Sequence, residues 1–164
     1  MHDPNPKEEA MTVSKKFGVM GIDQINNAVG QDKELLKAMQ QEAEQYFSSF
    51  HWCKKIRSRY FRSGVGGVFA VFMFEIENMA QAEQDLLWVV VGDVPPAYLI
   101  VKGGPENPGE ALSVYVELMA EWVDTARQGL SVDELIPVNV PPTSEYADQL
   151  ASRLAFLREN VLGN

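Results

Sequence analysis

Three features of the sequence predict an α+β fold, with an antiparallel sheet of three strands or more and three long helices. Apolar residues recur at alternating steps of three and four in three stretches, starting near Asp32, Asn107 and Thr143. Between the first and second of these lie "VFAVFMFEIE", "LLWVVV" and "AYLIV", rich in β-branched and aromatic residues. "GDVPPAY" joins the last two runs as a tight turn, because proline cannot donate to a strand ladder. The strands therefore form a meander.

Taken in order, residues 1–16 mix Pro4, Pro6, Glu8 and Glu9 with lysines and read as a flexible tail ahead of one domain over 17–164. "GIDQINNAVG" predicts a short helix between Gly21 and Gly30. From Asp32, placed as an N-cap, the stripe Leu36, Met39, Ala43, Tyr46, Phe50 and Cys53 predicts one helix running to about Arg62. The first strand sets Val68, Ala70, Phe72, Phe74 and Ile76 on one side and Phe69, Val71 and Met73 on the other. The second opposes Leu86, Trp88 and Val90 to Leu87, Val89 and Val91. A sheet apolar on both faces needs cover above and below, from helices or from a second subunit.

The second long helix has legible ends: Asn107 as cap, Pro108 in the first turn, Glu110 as capping-box partner and Gly129 as terminator. "SVDELIP" reads as a single capped turn ending at Pro137, and the third helix runs from about Thr143 to Leu162. That helix is expected to bury Tyr146, Ala147, Leu150, Leu154, Leu157 and Val161, leaving Phe156 on the polar side as a packing surface. The string "VPP" at 94–96 and again at 140–142 reads as coincidence.

Composition narrows the function. A chain of 164 residues with 46% hydrophobic and 23% charged residues is too apolar for disorder and long enough for a sizeable core. Its net charge of −9 repels nucleic acid and anionic lipid. "MHDPNPKEEAMTVSKK" has no apolar run resembling a secretory signal. The longest apolar stretch, "VGGVFAVFMF", is about half a membrane crossing. One cysteine forms no intramolecular disulfide. A cytoplasmic protein without membrane contact is expected.

"FHWCKKIRSRYFRSG" concentrates Lys54, Lys55, Arg57, Arg59 and Arg62 beside aromatics, a histidine and the lone cysteine. On a continued helix, Lys55, Arg59 and Arg62 share one face within about 60° of arc, opposite Phe50 and Cys53. Arg57 is then a misfit on the apolar stripe. The three cations become a solvated face, a docking patch for an acidic protein surface or, against the net charge, a phosphate site. On that helix His51 and Cys53 diverge by about 200° and cannot hydrogen-bond, so Cys53 reads as a small core residue and His51 as a surface residue. In an extended segment the two would share a face. They would then stand at the mouth of a pocket lined by Trp88, Tyr98 and Trp122. Glu110, Glu117, Glu121 and Asp124 align opposite the apolar stripe of the second helix and are expected to face water rather than a metal. "GVGG" precedes a strand, and "KGGPENPGE" lacks the lysine and hydroxyl residue of a phosphate cradle. No cofactor is expected.

The strings "FHWC", "VGDVPPAYL" and "IPVNVPPTSEYA" resemble a family of small bacterial proteins built on a domain of unknown function, over roughly Phe50 to Leu162. The resemblance implies a bacterial, cytoplasmic protein and carries over no functional residue. The expected function is a non-catalytic protein-interaction domain of unknown process, self-associating as a homodimer or binding another protein. The alternatives are a small-molecule binder or enzyme near His51 and Cys53, and phosphate or nucleic-acid binding through Lys54–Arg62.

Overall fold

In a computed structural model that describes residues 31–79 and 84–162, the first helix, α1 (Gln31–Ser48), stops well short of Arg62. Its end is built from serines. The Ser48 hydroxyl donates to the Glu44 carbonyl and the Ser49 hydroxyl to that of Tyr46, which offers the backbone an alternative to further helix. Two tight turns follow, Phe50 N–H to Phe47 O and Cys53 N–H to Phe50 O, and the chain leaves as a strand. Asp32, expected as the cap, is the second residue of the helix. The expected tail over 1–16 and the short helix between Gly21 and Gly30 lie outside the described residues.

The continuous helix from Asp32 to Arg62 is thus replaced by a helix and the longest strand of the sheet, β1 (Cys53–Val65). The physical reason lies in "KKIRSRY", where Lys55, Arg57 and Arg59 alternate with Ile56, Ser58 and Tyr60 at the strand period of two. β1 pairs antiparallel with β2 (Phe69–Asn78), from Val65 opposite Phe69 at the hairpin to Cys53 opposite Asn78. Irregularities between Cys53/Lys55, Ile56/Ser58 and Phe61/Ser63 leave Lys54, Arg57 and Arg62 as the extra residues. β3 (Gln84–Gly92) and β4 (Ala97–Ile100) complete a four-stranded meander in the order β1-β2-β3-β4. The fold is α+β.

The sheet separates two cores. On one face Leu36, Met39, Ala43 and Phe47 of α1 pack on Phe61, Phe72, Phe74, Ile76, Leu87, Val89 and Val91. On the other, Phe69, Val71, Trp88, Val90 and Ala97 meet α2 (Pro108–Arg127) and α3 (Ser144–Leu157). Burying each such side chain is worth about 1.5–3 kcal/mol, so a strand apolar on both sides needs both layers. The chain's own helices supply them, and a second subunit is not needed as cover.

Both later helices begin where their caps place them. Asn107 Oδ1 accepts from Glu110 N–H at 2.8 Å, while Glu110 Oε2 accepts from Glu106 N–H at 2.8 Å. Gly129, at φ 71°, closes α2. Thr143 Oγ1 accepts from Tyr146 N–H at 3.3 Å to start α3. The last turn, Arg158–Leu162, widens to a π-helix and still buries Val161. No helix among the described residues is long and apolar enough to cross a membrane.

Candidate functional site

Lys55, Arg59 and Arg62 do not form one patch. Arg59 turns toward α1 and pairs with Glu44, and Arg57 pairs with Glu77 of β2 at 3.0 Å. Lys55 is exposed opposite Glu77 in the ladder. Arg62 is 4% exposed, on the other side of the sheet, with its guanidinium carbon 5.3 Å from the Trp88 ring centroid. The three do not share one face, which corrects the helical reading: Arg59, opposite Phe74, lies on the α1 side, whereas Lys55, opposite Glu77, and Arg62 lie on the other, and the extra residue at Arg57 shifts the alternation between Lys55 and Arg59. The Arg57 guanidinium holds the Glu77 carboxyl below its usual range, chiefly through their hydrogen bond.

The expected pocket is also divided. Trp88 and Trp122 are buried on the α2 side, whereas Tyr98 and Cys53 pack on the α1 side. His51 is exposed in the turn before β1. Cys53 is half-buried, and desolvation pushes its thiol above the ordinary range, the reverse of an activated nucleophile. Tyr98 instead joins a ring cluster, its centroid 5.5–6.4 Å from those of Tyr46, Phe47, Phe50 and Trp52. Among the described residues, no group of three or more histidine, cysteine, aspartate or glutamate side chains is placed to hold a metal ion. Glu110, Glu117, Glu121 and Asp124 are all exposed.

A groove runs along α3 instead. Its larger section, about 300 Å³, lies between the β3–β4 turn (Gly92–Pro95), Val138 and Val140, and the α3 residues Tyr146, Gln149 and Arg153, with Trp122 alongside. A second section of about 180 Å³ continues past Val68 to Phe156. Between them Arg153 Nε meets Asp93 Oδ1 at 3.2 Å. The turn that walls the groove is held firmly. Asp93 N–H donates to Val68 O at 3.0 Å, and Gly92 has φ 135°. A Cβ on Gly92 would lie 2.5 Å from that same oxygen, so only glycine fits. The Tyr115 hydroxyl donates to Pro95 O from below. The two Val-Pro-Pro strings line one cleft, through Val94, Pro95 and Val140.

Tyr146, expected in the buried stripe, is 39% exposed, and Phe156 is 49% exposed. The correction exposes a second pattern in α3. Tyr146, Gln149, Arg153 and Phe156 recur at steps of three, four and three, each one position before the buried Ala147, Leu150, Leu154 and Leu157. One residue is about 100° of helix, so the two stripes are adjacent rather than opposed. The apolar repeat at 147–157 conceals the second stripe because Gln149 and Arg153 interrupt its hydrophobicity.

No family model matches the sequence, and no curated protein or solved structure matches it either.

Proposed function

We propose that this chain is a non-catalytic, cytoplasmic protein-interaction domain that pairs with a second copy of itself along α3. The observation that carries this reading is the half-exposed stripe Tyr146, Gln149, Arg153 and Phe156, which has an aromatic residue at each end. In an antiparallel helix pair with heptad spacing, a and d positions of one helix face d and a of the other. Here Tyr146 meets Phe156 of the second copy, Gln149 meets its Arg153, and the two-fold axis repeats both contacts. The aromatic pairs supply apolar area and favourable ring geometry at both ends. Asp93 of the same copy already neutralises Arg153, so the central layers bring no net charge together.

The charge balance supports a copy of this kind over a basic partner only if salt helps rather than hinders. Glu145 and Glu159 flank the stripe, and each copy carries net charge −9. Screening should strengthen the contact. The pairing of Arg57 and Arg59 with Glu77 and Glu44 speaks for this reading over phosphate or nucleic-acid binding through Lys54–Arg62.

The test is light scattering across a concentration series, on the wild type and two variants. The wild type is expected to move from monomer to dimer. Phe156→Glu and Gln149→Lys, both at exposed positions, are expected to shift that transition at least tenfold upward in concentration with unchanged circular dichroism. A wild type that stays monomeric to millimolar concentration, or variants that dimerise like the wild type, overturns the proposal.

A further inference from the structure

A separate pocket of about 380 Å³ opens beside the free edge of β4. Tyr46 and Phe50 from the end of α1, Tyr98 and Ile100 from β4, and Ile136 and Pro137 from the loop before α3 line it. Its volume falls within the range of about 300–1,000 Å³ typical of ligand pockets, which combine apolar walls with a few polar groups. Its position on a sheet edge raises strand addition as one use. The backbone argues otherwise. Val101 N–H donates to Leu86 O at 3.2 Å, and these residues are directly opposite in the β3–β4 register. Hydrogen-bonded pairs alternate along an antiparallel ladder, so Tyr98 and Ile100 turn their N–H and C=O groups to the free edge. The Tyr46 ring stands beside Tyr98, their centroids 6.4 Å apart. Gly104 lies so close to the Ile100 carbonyl that a Cβ there would be 2.1 Å from the oxygen. The edge is crowded by Gly104 at the Ile100 carbonyl and flanked by Tyr46 at Tyr98, the two places where a guest strand would pair.

We infer that this pocket binds a compact, ring-bearing apolar molecule with a single hydroxyl, rather than an extended peptide. The ring lies against Tyr46, Phe50 and Tyr98, whose edge-to-face arrangement already favours aromatic contact. The hydroxyl donates to the outward Tyr98 carbonyl or accepts from the outward Ile100 N–H. The site is independent of pairing along α3, since Phe156 and Arg153 line a different groove.

The experiment is a titration of isoleucine-methyl-labelled full chain with 4-methylphenol, followed by NMR. Saturable shifts at Ile100 and Ile136, with Ile76 unmoved, are expected; Ile76 is buried and lines no part of the pocket. Two filling variants from different walls, Ile136→Trp and Leu99→Trp, should each weaken binding at least tenfold as read at Ile100. No saturable shift in the wild type, unchanged affinity in a folded filling variant, or shifts spread equally to Ile76 would each overturn the inference. So would a peptide strand that perturbs the Ile100 amide where 4-methylphenol does not.

Discussion

Replacing Phe47 by alanine tests whether α1 covers the sheet as described. Phe47 is fully buried, and its ring centroid lies 5.4 Å from that of Phe74 on β2 and 5.9 Å from that of Tyr98 on β4. It therefore links the helix to two strands and to the aromatic cluster. A Phe→Ala change in a core costs about 3–5 kcal/mol, the lost transfer energy plus the cavity left behind. For a domain of this size each 1 kcal/mol lowers Tm by about 2–4 °C, so the expected drop is roughly 6–20 °C. Urea unfolding followed by tryptophan fluorescence gives the free energy, and a thermal scan gives Tm. Phe156→Ala is the control, because a half-exposed ring away from the core should change stability by no more than about 0.5 kcal/mol. Both are measured at protein concentrations low enough to hold the chain monomeric. A Phe47→Ala loss below about 1 kcal/mol would refute the packing of α1 on this face, and with it the ring-lined pocket beside β4.

Two further predictions concern titration. Burial holds the Glu42 carboxyl above its usual range. The penalty falls on the ionised form, so it is absent below the ordinary carboxylate range, grows as pH rises past that range and is complete above the raised pKa. Glu42→Gln should thus raise Tm at neutral pH and change it little in acid, and equal shifts at both pH values would contradict the assignment. The Cys53 thiol, pushed up by burial, should react with a disulfide reagent at pH 7.5 far more slowly than in the urea-unfolded chain. Equal rates in the two states would mark an open thiol and revive the catalytic alternative.

Much of the fold was legible from local chemistry. Asn107 and Thr143 marked helix starts because a side-chain acceptor is needed for the free first-turn amides, and Gly129 marked an end. The runs in β2, β3 and β4 were legible because β-branched and aromatic residues suit a sheet covered on both sides. β1 was not, since Phe50 and Cys53 continue the helical step by chance beyond Ser48, and charged strand residues carry little apolar signal. The misfit of Arg57 on a helix was the available clue. On a strand it finds Glu77, and "KKIRSR" faces the acidic "EIE" of β2 across the ladder. The groove along α3 was legible only in part: Phe156 stood out, but its wall comes from the β3–β4 turn, which tertiary packing alone brings there.

Sedimentation equilibrium of the wild-type chain at low and high sodium chloride tests the pairing along α3 most directly. A monomer–dimer equilibrium that tightens as salt screens the two acidic copies is the predicted result, since the Debye length falls from about 30 Å at 0.01 M to about 3 Å at 1 M. A chain that is monomeric at every salt concentration, or a dimer that dissociates as salt rises, would contradict it.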